Sequence, residues 1–458
     1  MSAIKNASFV KKPNLIITAI ALGVILNPLN TTMITVALPE IKNEFHLTSK
    51  DLSWLIASYF MVSAIFLPLL GKLSDYYGRK KIFITGLILV AISSFTAPLS
   101  PNMPFLLGMR AIQAIGTSAL YPAGIGMVRS YIEKNQNRVI GTLSVFATTS
   151  AAFGPTISGL LIQKGGWPII FYVNFPIITI SAILAFLYIP KDSKVSEKAF
   201  KWDGIGIILF GLLISLWMFF LQALENELNL WTLLASILVT FVFYQYEKKN
   251  QVPFINVNFL RKNLNITLIY ILYALSTIVF FSMLLSMPTY LQLLLNLSSK
   301  LTGMVMLSIS IFAMVVTPVA TRWMEKSGYL KPLLSGAVIG LIGVISLLTI
   351  NQNSPISWIF IVLSILGLSN GILSIGLQTI LYSFISKSDS GIASGLLMTS
   401  RFIGNILASS IFGVMFATGI NDGNHNSMTI ILFIVSVLLL PGILYITKTK
   451  LSTKTMNH

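Results

Sequence analysis

The sequence predicts an all-α integral membrane protein whose helices cross the bilayer fourteen times. Three observations carry that prediction. Only 10% of the 458 residues are charged and 55% are hydrophobic, with a mean hydropathy of +0.83, whereas soluble domains carry about 25% charged residues. Fourteen apolar runs follow one another with no hydrophilic domain between them. The basic residues are sorted to one side of those runs, as membrane insertion requires. So few charges exclude a soluble enzyme, a nucleic-acid-binding module and a disordered protein. Zero cysteines exclude disulfides, thiolate zinc and iron–sulfur sites, and three histidines leave little scope for metal chemistry.

A helix needs about 20 apolar residues to cross a hydrocarbon core of about 30 Å. The runs that qualify lie near 15–38, 52–70, 82–100, 104–127, 139–162, 169–189, 204–224, 229–246, 265–290, 301–321, 332–350, 357–383, 391–419 and 428–446. The first is too long for a signal-peptide core, and no small-residue cleavage site follows it, so it counts as a span.

An even number of spans places both termini on one side. With the N-terminus in the cytoplasm, the inner segments hold 25 of the 31 Lys and Arg residues. The outer loops hold four (Lys42, Lys50, Lys164 and Lys300), and Arg110 and Arg401 fall inside spans. The net charge of +17 is thereby explained by orientation, with no nucleic acid required. All 14 carboxylates lie in inner segments or at the outer boundary, so none stands near the middle of a span. A proton-carrying group must be sought near the span ends.

Four motifs occur in order. Gly71-Lys72-Leu73-Ser74-Asp75-Tyr76-Tyr77-Gly78-Arg79-Lys80-Lys81 follows the second span. Its glycines permit a tight turn and a close helix approach, and Asp75 suits a helix N-terminus or a nearby arginine. Span four carries Leu106-x-x-x-Arg110-x-x-Gln113-x-x-Gly116. Span five carries Gly141, Ser150, Gly154-Pro155, Ser158 and Gly159, and span one carries Leu29-Asn30-x-Thr32 with Val36-Ala37-Leu38-Pro39. Together they resemble the signature loop, buried-arginine motif, antiporter motif and first-span motif of the major facilitator superfamily, in its fourteen-span drug:proton antiporter branch. Trp54, Tyr59, Asn174-Phe175-Pro176, Pro288-x-Tyr290-Leu291-Gln292, and Gly391-x-Ala393-Ser394-Gly395 leading to Arg401-x-x-Gly404 extend the resemblance over nearly the whole chain.

The resemblance implies two six-helix bundles facing each other across a central cavity (1–190 and 264–458). Two inserted helices with their cytoplasmic loops lie between them (191–263), opened by Trp202-Asp203-Gly204. It implies a multidrug exporter of the bacterial cytoplasmic membrane, similar to the antiseptic, quinolone and tetracycline efflux proteins of Gram-positive bacteria. Such a protein is driven by the proton gradient without a cofactor and works as a monomer. An exporter of an endogenous metabolite or lipid on the same fold is the alternative. A membrane-embedded enzyme is excluded, because no convergent His, Asp, Glu or Cys cluster appears outside the Asp75 loop.

The conformational change is expected to use Gly71, Asp75, Gly78 and Arg79 at the inner turn, and Gly154, Pro155 and Gly159 in span five. There the proline removes a helix hydrogen bond and small neighbours allow close packing. Arg110 cannot lose its proton in practice, and its position inside a span is expensive unless paired or hydrated. It lies about 9 Å from the outer end of span four and Asn30 about 12 Å from that of span one, so the two could share a layer and a water-filled pocket. Position 30 is usually aspartate in the branch, and Asn30 cannot take up a proton. Coupling is then expected at Arg110 with Glu40 first and Asp51 second, although each reads more readily as a solvated boundary acid.

Without a deep carboxylate, neutral, zwitterionic or monocationic amphipathic drugs are favoured over dications. The expected cavity residues are Asn30, Tyr59, Gln113, Tyr121, Phe146, Phe153, Phe281, Met287, Tyr290, Gln292, Met398 and Arg401. The aromatics and methionines would give adaptable binding. Arg401 reads equally as a pin between helices or as a site for anionic groups.

Overall fold

The structure, a computed structural model, describes residues 12–132, 136–192, 203–223, 229–385 and 390–455. Trp202, Glu133, Glu197, Glu225, Glu227 and Asp389 lie outside these, as does the side chain of Asp75. Among the described residues every regular element is helical. The long helices are α1 (Pro13–Glu44), α2 (Ser49–Tyr77), α3 (Arg79–Thr96), α4 (Met103–Tyr131), α5 (Gln136–Gly165), α6 (Asn174–Tyr188), α7 (Gly204–Ala223), α8 (Leu230–Lys249), α9 (Leu264–Leu293), α10 (Ser299–Ser327), α11 (Leu330–Leu347), α12 (Ile356–Phe384), α13 (Ser390–Met415) and α14 (Asp422–Thr455). Twelve are long and apolar enough to cross a membrane, with α6 counted together with the short helix Ile169–Tyr172 before it. The other two are α4, whose hydropathy is lowered by Arg110, Gln113, Thr117 and Ser118, and α5, several of whose side chains are not described.

Local chemistry sets the helix ends. Thr48 and Asp51 form a reciprocal capping box at the start of α2, with Thr48 Oγ1 donating to Asp51 Oδ2 at 2.7 Å and Asp51 N–H to Thr48 Oγ1 at 3.2 Å. Asn102 and Ser298 cap α4 and α10 through the N–H groups of Phe105 and Leu301. Gly78 joins α2 to α3 at φ +111, a conformation that side chains rarely adopt. Bulky apolar side chains point outward along the periphery, among them Phe186, Ile208, Leu238 and Phe241. On a soluble protein they would form an aggregating patch; here they are the lipid face.

Helices α1–α6 pack on one another, as do α9–α14, while α8 packs on α7 and α7 lies along α2 and α13. The two groups meet through α5 with α10, α2 with α13, and α1 with α9. These contacts concentrate at the end away from both chain termini, called distal below. There Ser53 Oγ donates to Ser409 O at 2.6 Å and Ser409 Oγ to Ser53 O at 2.8 Å. Thr156 Oγ1 donates to Gly303 O at 2.9 Å and Gln292 Nε2 to Val36 O at 3.2 Å. A Cβ on Gly159 would stand 2.3 Å from the Ser299 carbonyl oxygen, so this crossing closes only with glycine.

The opposite, proximal end is held differently. Asp192 accepts from the N–H groups of Lys80 and Lys81 at 3.0 and 3.1 Å, which is the helix-start role the sequence offered to Asp75. Arg79 Nη1 donates to Gly126 O and Ser130 Oγ on α4. Asp203, just before α7, accepts from Gly206 N–H, Tyr246 Oη and Phe254 N–H at 2.8, 2.9 and 3.0 Å. Burial alone would raise this carboxyl, but these donors together with the Asn250 side chain outweigh it and hold Asp203 below the usual carboxylate range. Lys72 Nζ reaches Pro253 O at 3.3 Å and ties α2 to the same junction.

Candidate transport cavity and the polar network behind it

A guanidinium deep in a bundle must find acceptors or an aromatic face. Arg110, 2% exposed, finds both. Its Nη1 donates to Gln113 Oε1 at 2.6 Å and to Asn30 O at 3.4 Å, and its carbon lies 4.3 Å from the Tyr59 ring centroid. Gln113 Nε2 donates to Asn30 Oδ1 at 3.0 Å. Asn30 Nδ2 donates to Leu26 O at 2.7 Å and Asn174 Oδ1 at 3.0 Å, while Asn174 Nδ2 donates to Asn30 Oδ1 at 2.8 Å and Ser94 Oγ at 3.0 Å. Tyr59 Oη and Thr117 Oγ1 are 2.7 Å apart, and Asn27 Nδ2 reaches both. One buried network therefore joins α1, α2, α3, α4 and α6, and amides balance the arginine without a carboxylate.

Between the two bundles lies a cavity with about 1180 Å³ of empty space, its open mouth included. Its N-terminal wall contains Val24, Pro28, Leu67, Ala147 and Ala151 with Asn27, Thr117 and Tyr121. Its C-terminal wall carries Tyr273, Ser276 and Thr277 on α9, Asn370, Ser374 and Gln378 on α12, and Met398, Arg401 and Asn405 on α13. Phe281 and Phe402 close it on the distal side against Phe60, with ring centroids 4.9 and 5.8 Å from that ring. Beyond this aromatic layer stand Ser53 and Ser409.

Of the residues expected to line the cavity, Tyr121, Phe281, Met398 and Arg401 do so. Asn30, Tyr59 and Gln113 are buried in the network behind it, so the layer shared by Asn30 and Arg110 is real but is not a pocket wall. Met287 and Tyr290 are fully buried on α9, with Tyr290 Oη donating to Asp422. Gln292 belongs to the distal seam, Phe146 is 49% exposed, and Phe153 does not reach the cavity. Asp51 is committed to its capping box, so its carboxylate has a structural duty that the sequence reading did not assign. Glu40 is half-buried at the distal end, against the Trp167 backbone and the Ser299 hydroxyl of α10. At the hinge positions, Gly154 abuts the Thr32 side chain, Gly71 faces Pro122, and the Pro155 carbonyl faces Gly303.

Sequence reasoning missed Asn174, Ser94 and Asn27 in the network, and Asn370 and Gln378 in the cavity. A polar amide inside an apolar span was the available signal. Asn370, Ser374 and Gln378 also recur every four residues, on one helix face.

Two helical bundles around a central cavity, sealed at one end by contacts between them, define a membrane transporter rather than an enzyme. The chain belongs to the Major Facilitator Superfamily, which it matches over residues 20–409. It is a multi-pass membrane protein. It is 36% identical over 422 residues to the uncharacterized MFS-type transporter YwoD of Bacillus subtilis, covering 91% of this chain and 93% of the relative. It is 24% identical over 417 residues to the multidrug resistance protein Stp of Mycobacterium tuberculosis (88% and 76% covered). To the riboflavin transporter RibZ of Clostridioides difficile it is 24% identical over 408 residues (89% of each). A bacterial homolog of the human lysosomal transporter Spinster, solved inward-facing and unoccupied, superposes with a TM-score of 0.71 at 14% identity, covering 96% of this chain and 98% of that one.

Proposed function

We propose that this protein exports amphipathic small molecules across the bacterial cytoplasmic membrane in exchange for protons, by alternating access. All fourteen long helices cross the bilayer with both termini in the cytoplasm, as two bundles (1–190 and 264–458) joined through the inserted pair in 191–263. The observation that carries this reading is the central cavity, sealed distally by four hydrogen bonds between the bundles. With cytoplasmic termini, that arrangement is the inward-facing state of an exporter, ready to take up a compound from the cytoplasm or inner leaflet. The relationship to a named multidrug resistance protein supports the direction of transport.

The proton gradient is the only energy source in this reading, and no cofactor takes part. Glu40 is the proton carrier that fits, because it is half-buried and touches α10 where the seam must part. Arg110 holds the N-terminal network rigid while the bundles rock. The protein acts as a monomer.

Purified protein in liposomes tests the proposal. An inward proton gradient is imposed, ethidium, norfloxacin and tetracycline are added in turn, and lumenal pH is followed. Substrate-dependent collapse of the gradient is expected, and it should vanish in Glu40→Gln. Collapse with none of the three would remove proton antiport of those compounds. A second reading, export of an endogenous metabolite, is favoured by the relationship to a riboflavin transporter. A deletion strain with an altered metabolite profile and unchanged drug susceptibility would support it.

A further inference from the structure

Among the described residues the cavity carries one charge: Arg401 is the only ionisable residue lining it apart from Tyr121 and Tyr273, and no carboxylate faces it. The sequence extends that statement, because no Asp or Glu stands near the middle of any long helix. Arg110, the other arginine inside a predicted span, is turned away into its amide network. A guanidinium keeps its proton under all useful conditions. In a low-dielectric cavity without a counter-charge, it makes the interior electropositive, which raises the affinity for anions and lowers it for cations.

The walls are matched to an amphipath. Next to Arg401 the C-terminal wall offers Asn405, one turn further along α13, and the polar stripe Asn370, Ser374 and Gln378 on α12. Asn405 is 3% exposed and its Oδ1 has no hydrogen-bond partner. That acceptor, one turn from Arg401, can take a hydrogen bond from a donor on the body of a bound molecule, while the anionic group itself is left to the guanidinium. Across the cavity, the opposite wall is mostly Val, Pro, Leu and Ala, and Phe281, Phe402 and Met398 form the floor. The charge and most of the polar groups lie on one wall, facing a wall that is mostly apolar but carries Asn27, Thr117 and Tyr121. The guanidinium fork matches a planar carboxylate through two parallel hydrogen bonds.

We propose that the transported compounds are amphipathic anions, whose carboxylate or sulfonate is held by Arg401 while their aromatic or aliphatic body lies on the opposite wall. The assignment rests on the export reading above and narrows its substrate class. It departs from the sequence-based preference for neutral, zwitterionic or monocationic compounds, because the charge in the cavity is the protein's own.

The test uses three fluorescent probes with one aromatic body, namely dansylglycine (anion), dansylamide (neutral) and dansylcadaverine (cation). Saturable binding to the full-length protein in nanodiscs is measured for wild type, Arg401→Gln and Arg401→Lys. Dansylglycine is expected to bind at least tenfold more tightly than dansylcadaverine. Arg401→Gln should erase that ratio while changing dansylamide binding less than twofold, and Arg401→Lys should keep part of it. Retained dansylamide binding certifies the fold of each variant. An anion that binds no better than the cation, including no binding of any probe, or a ratio unchanged in Arg401→Gln, overturns the assignment. Efflux of the same probes from inverted vesicles separates the two readings. Arg401-dependent anion binding without transport defeats export and leaves the anion site standing. Equal binding and export of the cation defeats the anion site and leaves export standing.

Discussion

Asn30 and Asn174, on α1 and α6, exchange two amide hydrogen bonds of 3.0 and 2.8 Å at nearly complete burial. Each amide donates its nitrogen to the other's oxygen, and Gln113 adds a third bond to Asn30 Oδ1. A carboxylate at position 30 could accept two of these bonds but donate none. Asn30→Asp should therefore leave Leu26 O and Asn174 Oδ1 short of a donor and destabilise the protein by about 2 kcal/mol at neutral pH. Since Asn30 does not line the cavity, probe binding should change little. Thermal unfolding and dansylamide titration of the variant check both halves.

Arg110→Ala removes the donor that Gln113 Oε1 and Asn30 O share and the cation over Tyr59. Transport should fall at least tenfold with the protein still inserted in the membrane. The ratio of anion to cation binding should persist, because that ratio belongs to Arg401. Retained efflux would show that the network is dispensable for the cycle.

The distal seam offers a reversible lock. Ser53 Oγ and Ser409 Oγ are 3.1 Å apart, and the chain has no cysteine of its own. The double substitution Ser53→Cys with Ser409→Cys should form a disulfide under mild oxidation. Transport should stop when the bond forms and return on reduction. Full activity of the oxidised protein would mean that the seam does not open in the cycle.

Closing the same seam demands glycine at the α5–α10 crossing. Gly159→Ala places a methyl group 2.3 Å from the Ser299 carbonyl oxygen and 3.1 Å from the Gly303 Cα. The variant should rest with the seam parted. A cysteine at position 53 should then react faster with a membrane-impermeant maleimide added from the distal side. Unchanged labelling would show that α10 yields instead.

Asp203 gives a pH dependence with a defined sign. Its carboxyl is held below the ordinary range by its hydrogen-bond donors, so its stabilising contribution is present above about pH 4, the unfolded value, and is lost as pH falls through the lower folded value. Asp203→Asn should cost about 2 kcal/mol at neutral pH, as expected for hydrogen bonds to a charged acceptor. Its difference from wild type should shrink below about pH 4. Unfolding midpoints measured from pH 3 to 7 give the answer.

The helices were legible because bilayer thickness imposes a length on each apolar run; each predicted run overlaps a helix, and twelve of those helices are long and apolar enough to cross a membrane. The ends moved where polar residues continue a helix beyond the apolar core, as in α14, which starts at Asp422 rather than near 428. The depth shared by Asn30 and Arg110 could also be read, since rise per residue converts position into height. Rotation about the helix axis could not be read. Lipid-facing and protein-facing sides are both apolar, so nothing in the local pattern says that Tyr59 and Gln113 turn away from the cavity while Asn370 and Gln378 turn toward it. Asn174 was visible only as part of a connecting motif, because its partner lies 144 residues away.

The seam between Ser53 and Ser409 is made of hydroxyls and carbonyls, as is the bond from Thr156 to Gly303. When it parts, each freed group meets water and recovers a bond of nearly equal strength, so the closed and open arrangements differ by little. An ion pair in the same place would have to be rehydrated and dried again in every cycle, against several kcal/mol each way. The hydrogen bonds of the distal clasp thus add little to the difference between closed and open. On the export reading proposed above, cargo on one side and a proton on the other would supply the bias that decides which way the molecule faces.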